Sequence, residues 1–281
     1  MYRSLSILFL SLISFCAFAQ NDSIQTKSET TQQAGYATSK ATESTQNITG
    51  TQNELLNKAA ELYSKSQFSA AAEVYEKVKA QYGTSDKLYY NLGNAYYKSK
   101  NLPSAILNYE RALRLNPADR DIQFNLEMCQ ARIVDKIDPI GMFMFARWNK
   151  SLENSFNSNI WAFVSIFFFL ILITCLFAYF FARISWLKKV SFFAGILALC
   201  ISALSLYYTG DQRNQIVYPD KAILFTPTVT VKSSPDQSGT DLFILHEGSK
   251  VTVLSKLGNW SEIELEDGNI GWIESIHLQT I

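Results

Sequence analysis

Cysteine and histidine are the side chains of this sequence best suited to nucleophilic or metal chemistry, and they are few and widely separated. The cysteines are Cys16, Cys129, Cys175 and Cys200, and the histidines are His246 and His277. A cysteine hydrolase needs a thiol and an imidazole in one catalytic domain, and a metal site needs several ligands at short spacing. Neither pattern is present, nor is a glycine-rich phosphate loop or a nucleophile elbow. We therefore predict no catalytic, cofactor-binding or metal-binding residues, and a protein that is not an enzyme.

The charge balance of the chain disfavours nucleic acid as a partner. The 281 residues contain 25 Lys and Arg against 25 Asp and Glu. There is no basic excess to attract a phosphate backbone, so we expect no nucleic acid among the partners.

Two long apolar runs follow the middle of the chain. Residues 160–182 and 190–210 contain no charged side chain, and each is long enough for a helix to cross the roughly 30 Å hydrocarbon core of a bilayer. The runs predict a transmembrane hairpin joined by a loop at 183–189. The alternative is a pair of buried helices inside a larger soluble core.

The loop and the N-terminus predict the same orientation. The loop carries Arg183, Lys188 and Lys189, and short cationic loops are retained in the cytoplasm. Residues 1–19 have an early Arg, an apolar centre and an Ala-x-Ala site, which is typical of a secretory signal peptide; an uncleaved anchor is the alternative. Both features place the flanks of the hairpin outside the cytoplasm.

Residues 20–52 are rich in Thr, Ser, Gln and Asn and contain few large apolar side chains. Such a segment buries too little surface to offset the entropy of ordering. We predict a disordered polar spacer.

Residues 53–137 contain an internal repeat. At an offset of 34 residues, Tyr63 aligns with Tyr97 and Tyr75 with Tyr109, and this period is typical of helix-turn-helix arrays. The second unit resembles the tetratricopeptide repeat family at Tyr89, Leu92, Gly93, Tyr96, Ala105, Tyr109, Ala112 and Pro117. The resemblance implies two repeats followed by a capping helix at 118–137, with Gly93 allowing the two helices of its unit to approach.

The first helices of such repeats line a concave groove, which is where the family binds its partners. In the register of the family, the candidate peptide groove consists of Leu56, Tyr63, Tyr90, Asn94, Tyr97, Lys98, Phe124, Met128 and Arg132. This apolar and aromatic set with a few polar groups suits an extended peptide or a partner helix. Packing of these residues against the spacer or against a membrane-proximal helix is the alternative.

The juxtamembrane segment, 138–159, is amphipathic in composition. Phe143, Phe145 and Trp148 stand beside Arg147 and Lys150. The pattern suits a helix lying in the membrane interface, and packing against the repeats is an equal alternative.

Residues 216–281 change to the two-residue period of strands. Short alternating segments are separated by turns, including Asp267-Gly268-Asn269, which favours a small barrel. The segment resembles bacterial SH3 domains, with Gly248, Trp260, Gly268, Gly271 and Trp272 at marked positions. Trp260 and Trp272 are the candidate SH3 surface, with a structural role in the barrel as the alternative.

The expected fold is therefore a multidomain membrane protein with an all-α tetratricopeptide solenoid, a two-helix transmembrane hairpin and a small all-β SH3-like barrel. The order of these parts resembles the BatE family of the Bacteroides aerotolerance (Bat) operon. That resemblance implies a protein of the bacterial inner (cytoplasmic) membrane that operates with Bat von Willebrand A-domain proteins and a MoxR-type ATPase in stress tolerance.

We predict a membrane-anchored periplasmic scaffold or adaptor that binds protein partners through the groove and the SH3 domain, without a cofactor. The alternative function is a peptidoglycan-binding or envelope-sensing module.

Overall fold

The structure is a computed structural model that describes residues 51–137, 141 and 143–281. The predicted signal peptide and residues 20–50 of the predicted spacer lie outside the described residues. Residues 51 and 52, predicted as the end of the spacer, are helical instead. Residues 55–281 form one compact unit.

Five helices build the repeat region. The described part of helix α1 covers residues 51–64, and the following helices are α2 (Phe68–Tyr82), α3 (Asp86–Lys98), α4 (Leu102–Leu115) and α5 (Arg120–Gln130). The side chains of Ser85, Asn101 and Asp119 accept hydrogen bonds from backbone N–H groups of the first turns of α3, α4 and α5, as N-caps do. The chain therefore forms two helix-turn-helix units and a fifth helix.

Gly93 allows the two helices of the second unit to approach each other, as predicted. A Cβ at this position would lie 2.6 Å from two atoms of the Tyr109 ring, which is too close for any side chain. Leu92, Ala105, Tyr109 and Ala112 are buried around this contact. The signature residues at these positions are therefore core.

The fifth helix ends earlier than predicted. It stops at Gln130, whereas the sequence pattern extended it to residue 137. The 131–137 segment leaves the helical path because Ile133, Asp135 and Ile137 contact the C-terminal sheet.

Three further helices follow: α6 (Met144–Glu153), α7 (Ser158–Phe181) and α8 (Ser185–Val217). Helices α7 and α8 are long and apolar enough to cross a membrane. They pack as an antiparallel pair, since Trp161 of α7 contacts Tyr208 of α8 and Ser165 exchanges hydrogen bonds of 3.0 and 3.1 Å with Ser202. Small side chains at such a contact allow close approach.

The bounds of this hairpin differ from the predicted ones. Only residues 182–184 connect the two helices, so Lys188 and Lys189 lie in the first two turns of α8 instead of in a loop. At its other end α8 continues for seven residues beyond 210, to Val217. The predicted SH3 segment therefore begins with the last two residues of this helix.

The C-terminal region is one antiparallel sheet of seven strands. They are β1 (Lys221–Leu224), β2 (Thr228–Lys232), β3 (Asp241–His246), β4 (Lys250–Leu257), β5 (Trp260–Glu264), β6 (Ile270–Glu274) and β7 (Leu278–Thr280), with a 3-10 turn at Ser275–His277. Their spatial order is β3-β2-β6-β5-β4-β1-β7. Inward residues from six of these strands share one core, which requires the sheet to curl on itself. The predicted turn joins β5 and β6, with Gly268 at φ 85°.

The sheet and the repeat region share a second core. Ile223, Phe225 and Ile281 of the sheet region pack with buried residues of α4 and α5, including Ile106 and Ile122. This contact joins segments that are more than 100 residues apart in the sequence, and no motif or period in the sequence predicts it.

Candidate peptide-binding groove

The nine predicted groove residues lie on or next to the first helix of each unit. Leu56 and Tyr63 lie on α1; Tyr90, Asn94, Tyr97 and Lys98 on α3; Phe124 and Met128 on α5; and Arg132 directly after α5. Phe124 is 62% exposed, and Lys98 and Arg132 are exposed as well. The other six are half-buried. The set therefore presents exposed groups above a partly buried floor.

A hydrogen-bonded cluster forms the centre of this floor. The Asn94 Oδ1 atom accepts hydrogen bonds from the Tyr109 hydroxyl at 2.7 Å and from the Asn125 Nδ2 group at 3.1 Å. The Asn125 Nδ2 group also donates to the Tyr90 hydroxyl at 3.2 Å. Both lone pairs of the Asn94 carbonyl are thus occupied. The Asn94 carbonyl therefore helps to hold the groove in shape.

Asn125 is a groove residue that sequence reasoning missed. It lies one repeat, or 34 residues, after Asn91. The same alignment that revealed the repeat therefore carries a signal for it. Its amide links α5 to α3, so it fixes the position of the fifth helix relative to the second unit.

Tyr97 and Arg132 form a second group at the edge of the groove. The guanidinium carbon of Arg132 lies 5.0 Å from the centre of the Tyr97 ring, within the range of a cation–π contact. Lys98 follows Tyr97 and is exposed. The open edge therefore offers two cations and an aromatic ring, which suit an acidic or aromatic peptide segment.

Burial determines the titration of the groups beneath the groove. Burial raises the pKa of Tyr109 well above its usual value, and it raises the pKa of the Cys129 thiol to about 11. Since the thiolate is the reactive form, Cys129 is a poor nucleophile near neutral pH. Within the described residues, no group of three or more His, Cys, Asp and Glu side chains is arranged to hold a metal ion.

The opposite side of the second unit carries the C-terminal sheet. We call this surface, formed by α4 and residues 133–137, the docked face. Asp135 accepts three hydrogen bonds there: 2.7 Å from the His246 backbone N–H, 2.8 Å between its Oδ1 and His246 Nδ1, and 2.5 Å from the Ser249 hydroxyl. Burial alone would raise the pKa of Asp135, but the bonds from Ser249 and His246 outweigh it and hold the pKa below its usual value.

Charged pairs surround this contact. The Lys250 ammonium lies 2.9 Å from Glu110 of α4 and 3.4 Å from Glu266. Burial alone would lower the pKa of Lys250, but the two carboxylates raise it above its usual value, so the lysine remains charged. Arg111 donates to the Thr280 carbonyl at 2.6 Å, and Arg114 donates to the carbonyl of Ile281. Apolar packing and paired charges together hold the sheet on α4.

The two candidate tryptophans of the sheet are half-buried. Trp260 lies opposite Glu274, and Trp272 lies opposite Glu262 on the neighbouring strand. The intervening residues Ser261 and Ile273 point inward and are buried. Because side chains alternate along a strand, both tryptophans lie on the outer face of the sheet.

The described surface also contains two hollows. One, of about 460 Å³, lies between α4, α6, α8 and β1, and its wall contains Arg114, Lys150 and Lys250. These cations already have protein partners. The other, of about 350 Å³, is lined on the sheet by residues that include Lys232, Glu274 and His277.

Comparison with protein families agrees with these two regions. Residues 87–119 match the family model for the tetratricopeptide repeat, and residues 227–279 match the family model for the bacterial SH3 domain. Both are non-catalytic interaction domains, and a bacterial SH3 domain suggests a location in the cell envelope. No curated protein matches the chain. The chain thus carries the domains of a protein-interaction or peptidoglycan-binding module.

Proposed function

We propose that this protein is a membrane-anchored periplasmic scaffold whose groove binds a segment of a protein partner. The observation that carries the proposal is the difference between the two sides of the second repeat. The sheet covers α4, while Phe124, Lys98 and Arg132 on the groove side stay exposed. Because the sheet occupies the α4 side of the second repeat, the groove side remains available to a second protein.

The anchor is the α7–α8 hairpin. Its large apolar side chains point outward, with Phe163 at 72% exposed, so it does not resemble the buried helices of a soluble core. Contiguous exposed apolar surface of this kind suits lipid. Arg183, Lys188 and Lys189 lie at the turn between the helices, and the positive-inside tendency favours the cytoplasm for that end.

Docking of the sheet on α4 supports a shared compartment for both flanks. Two domains that share a core and the Lys250–Glu110 ion pair cannot lie on opposite sides of a bilayer. Their common side is then the periplasm if the cationic turn is cytoplasmic.

The proposal also includes the class of protein that binds the groove. The order of repeat, hairpin and SH3 domain resembles BatE, and this supports Bat von Willebrand A-domain proteins as candidates for the groove, in an aerotolerance or stress-related complex. The chemistry of the groove edge adds that the bound segment carries acidic or aromatic side chains.

The groove assignment is tested by co-purification from membranes. The variant Tyr97→Ala/Lys98→Ala/Phe124→Ala removes three side chains of the groove and leaves Asn94 and its hydrogen bonds in place. The matched control Lys77→Ala/Tyr82→Ala changes a lysine and a tyrosine on α2. We expect the groove variant to lose its crosslinked partner while the control keeps it. Equal retention by both variants would exclude the groove.

A second candidate function is peptidoglycan binding by the sheet. The half-buried Trp260 and Trp272 on its outer face and the hollow near Glu274 favour it. The full-length protein in detergent is incubated with purified sacculi and sedimented. Retention that is lost in Trp260→Ala/Trp272→Ala would support wall binding, and sedimentation no different from that without sacculi would exclude it.

A further inference from the structure

Helix α6 has an apolar face that no described part of the chain covers. Phe143 is 88%, Met144 87%, Phe145 75% and Trp148 64% exposed. Trp148 follows Met144 by four residues and Phe145 by three, which places it on the same side of the helix as both, and the centres of the Phe145 and Trp148 rings lie 6.3 Å apart. These four side chains therefore do not pack against the repeats, which was the predicted alternative for this segment.

The other side of α6 is fixed to the hairpin. The Tyr208 hydroxyl donates to Asn149 Oδ1 at 2.6 Å. The Lys150 ammonium lies 3.0 Å from Glu153 and 3.5 Å from Asp211 of α8. These contacts leave the apolar face pointing away from the hairpin.

Backbone carbonyl groups at the end of α6 are also held by the hairpin. Trp161 Nε1 donates to the Glu153 carbonyl at 2.9 Å, and Gln212 Nε2 donates to the same carbonyl at 2.8 Å and to the Phe156 carbonyl at 2.9 Å. Burial raises the pKa of the Glu153 carboxyl, and its side chain is almost fully enclosed. Specific hydrogen bonds and a buried side chain therefore attach α6 to the hairpin.

The hydrogen bonds between α6 and the hairpin determine the depth of α6 in the bilayer. Trp161 and Tyr208 stand at the ends of the charge-free runs 160–182 and 190–210, where the headgroup region is expected. A helix bonded to both residues lies at that depth. An exposed Phe, Met and Trp face at that depth suits the boundary between headgroups and acyl chains.

We infer that α6 is an interfacial membrane helix whose Phe143, Met144, Phe145 and Trp148 side chains insert into the lipid of the leaflet that faces the soluble domains. Arg147, exposed beside this face, complements the phosphates of anionic lipids. The helix thereby ties the repeat region to the bilayer surface. This inference rests on the proposed two-pass insertion of α7 and α8.

The test uses the full-length protein in vesicles of phosphatidylethanolamine and phosphatidylglycerol. Its native cysteines are replaced by serine, and one new cysteine carries an environment-sensitive fluorophore at Trp148→Cys on the apolar face. The matched control is Ala146→Cys, an exposed position on the hairpin side of the same helix that precedes the contact at Asn149. A third variant, Phe163→Cys, reports on the hairpin itself.

We expect a lipid nitroxide near the headgroup to quench the label at 148 severalfold more strongly than the label at 146, and aqueous iodide to show the reverse order. Equal iodide quenching at 148 and 146, with the label at 163 quenched by lipid nitroxide, would overturn the inference and leave the anchor intact. Shielding of 148 in native membranes but not in pure lipid vesicles would also overturn it, in favour of a protein contact. Absence of lipid quenching at 163 would contradict the two-pass insertion itself.

Discussion

The two sides of the second repeat are built differently. The docked face combines buried apolar residues, such as Ile106 and Ile223, with paired charges and the three hydrogen bonds to Asp135. The groove has a polar centre around Asn94 and exposed groups at its edge. The docked face thus has the chemistry of a permanent contact, and the groove has that of a contact made and released.

This difference shows what a repeat motif specifies. The motif positions determine the core between the helices of a unit and the register of the groove. The residues on the outside of α4 are free to vary within the motif, and in this chain they accept the sheet. A two-repeat array is near the lower limit for stability, so the docked sheet contributes apolar contacts that further repeats would otherwise supply.

The largest expected effect on stability comes from removing a side chain that is buried beneath both faces. Tyr109 is buried between α3 and α4 and donates to Asn94. Tyr109→Ala should lower the free energy of unfolding of the repeat region by about 3–5 kcal/mol, the range for large aromatic deletions in a core. Pulse proteolysis in urea measures it on the detergent-solubilised protein. A loss no larger than that of Tyr82→Ala, a half-buried tyrosine of α2, would contradict this account of the core.

A smaller effect should separate the docked face from the groove. Asp135→Ala leaves the His246 N–H and the Ser249 hydroxyl without their acceptor, and hydrogen bonds to a charged group are worth about 1.5–3 kcal/mol. Hydrogen exchange of residues 246–250 should accelerate, while exchange of α3 stays unchanged. Glu127→Ala, at an exposed site on α5, is the control and should change neither.

The same carboxylate predicts how docking depends on pH. The native pKa of Asp135 lies below its unfolded value, so its contribution is present above the unfolded pKa of about 3.9 and is lost as the pH falls through the native pKa. The protection factor of residues 246–250, corrected for intrinsic exchange, should fall with acid below about pH 4. Asp135→Asn should flatten that profile. A wild-type profile that is equally flat would show that Asp135 does not titrate with docking.

The smallest expected effect on stability lies at the groove edge. Arg132→Ala removes the cation over the Tyr97 ring, which is worth about 0.5–1 kcal/mol at an exposed site. Unfolding should therefore change little, whereas crosslinking to the groove partner should drop. Arg120→Ala, also exposed but at the start of α5, is the control. A large loss of stability in Arg132→Ala would assign Arg132 to the core instead.

The elements themselves were predictable because their signals are local. Repeated tyrosines and small residues predicted the units, and Gly93 predicted the close approach of two helices; the structure shows that the Tyr109 ring is what Gly93 accommodates. Alternating Val and Ile residues and the Asp267-Gly268-Asn269 turn predicted the paired strands. The family matches at 87–119 and 227–279 confirm the second repeat and the SH3 domain.

The contacts between elements were not predictable from these signals. Asp135 and His246 are 111 residues apart, and no local period links them. The predicted α8 is too short because the prediction followed the apolar run, which ends at residue 210. The helix itself continues through the charged residues that follow, to Val217. Likewise, the phase of α5 continues past Gln130, but its last residues leave the helix to contact the sheet.

Our proposed function requires the repeat region and the sheet to be docked in one exported compartment. An ideal Cβ at Gly248 lies 3.8 Å from the Ile133 Cβ, which is a spacing that a disulfide can span. The pair Ile133→Cys/Gly248→Cys is introduced without the native cysteines, and a protease site is placed in the 182–184 connection. Ile133→Cys/Leu257→Cys, with the second cysteine at an exposed position of β4, is the control. Circular dichroism of the Gly248→Cys single variant checks that the fold survives at this left-handed position.

After cleavage in detergent, we expect the two fragments to remain joined under non-reducing conditions without added oxidant, because an exported compartment is oxidising. The control pair should separate. Joining only after an oxidant is added would contradict the exported location. Separation even with oxidant, in a protein whose Gly248→Cys variant is folded, would contradict the docking itself.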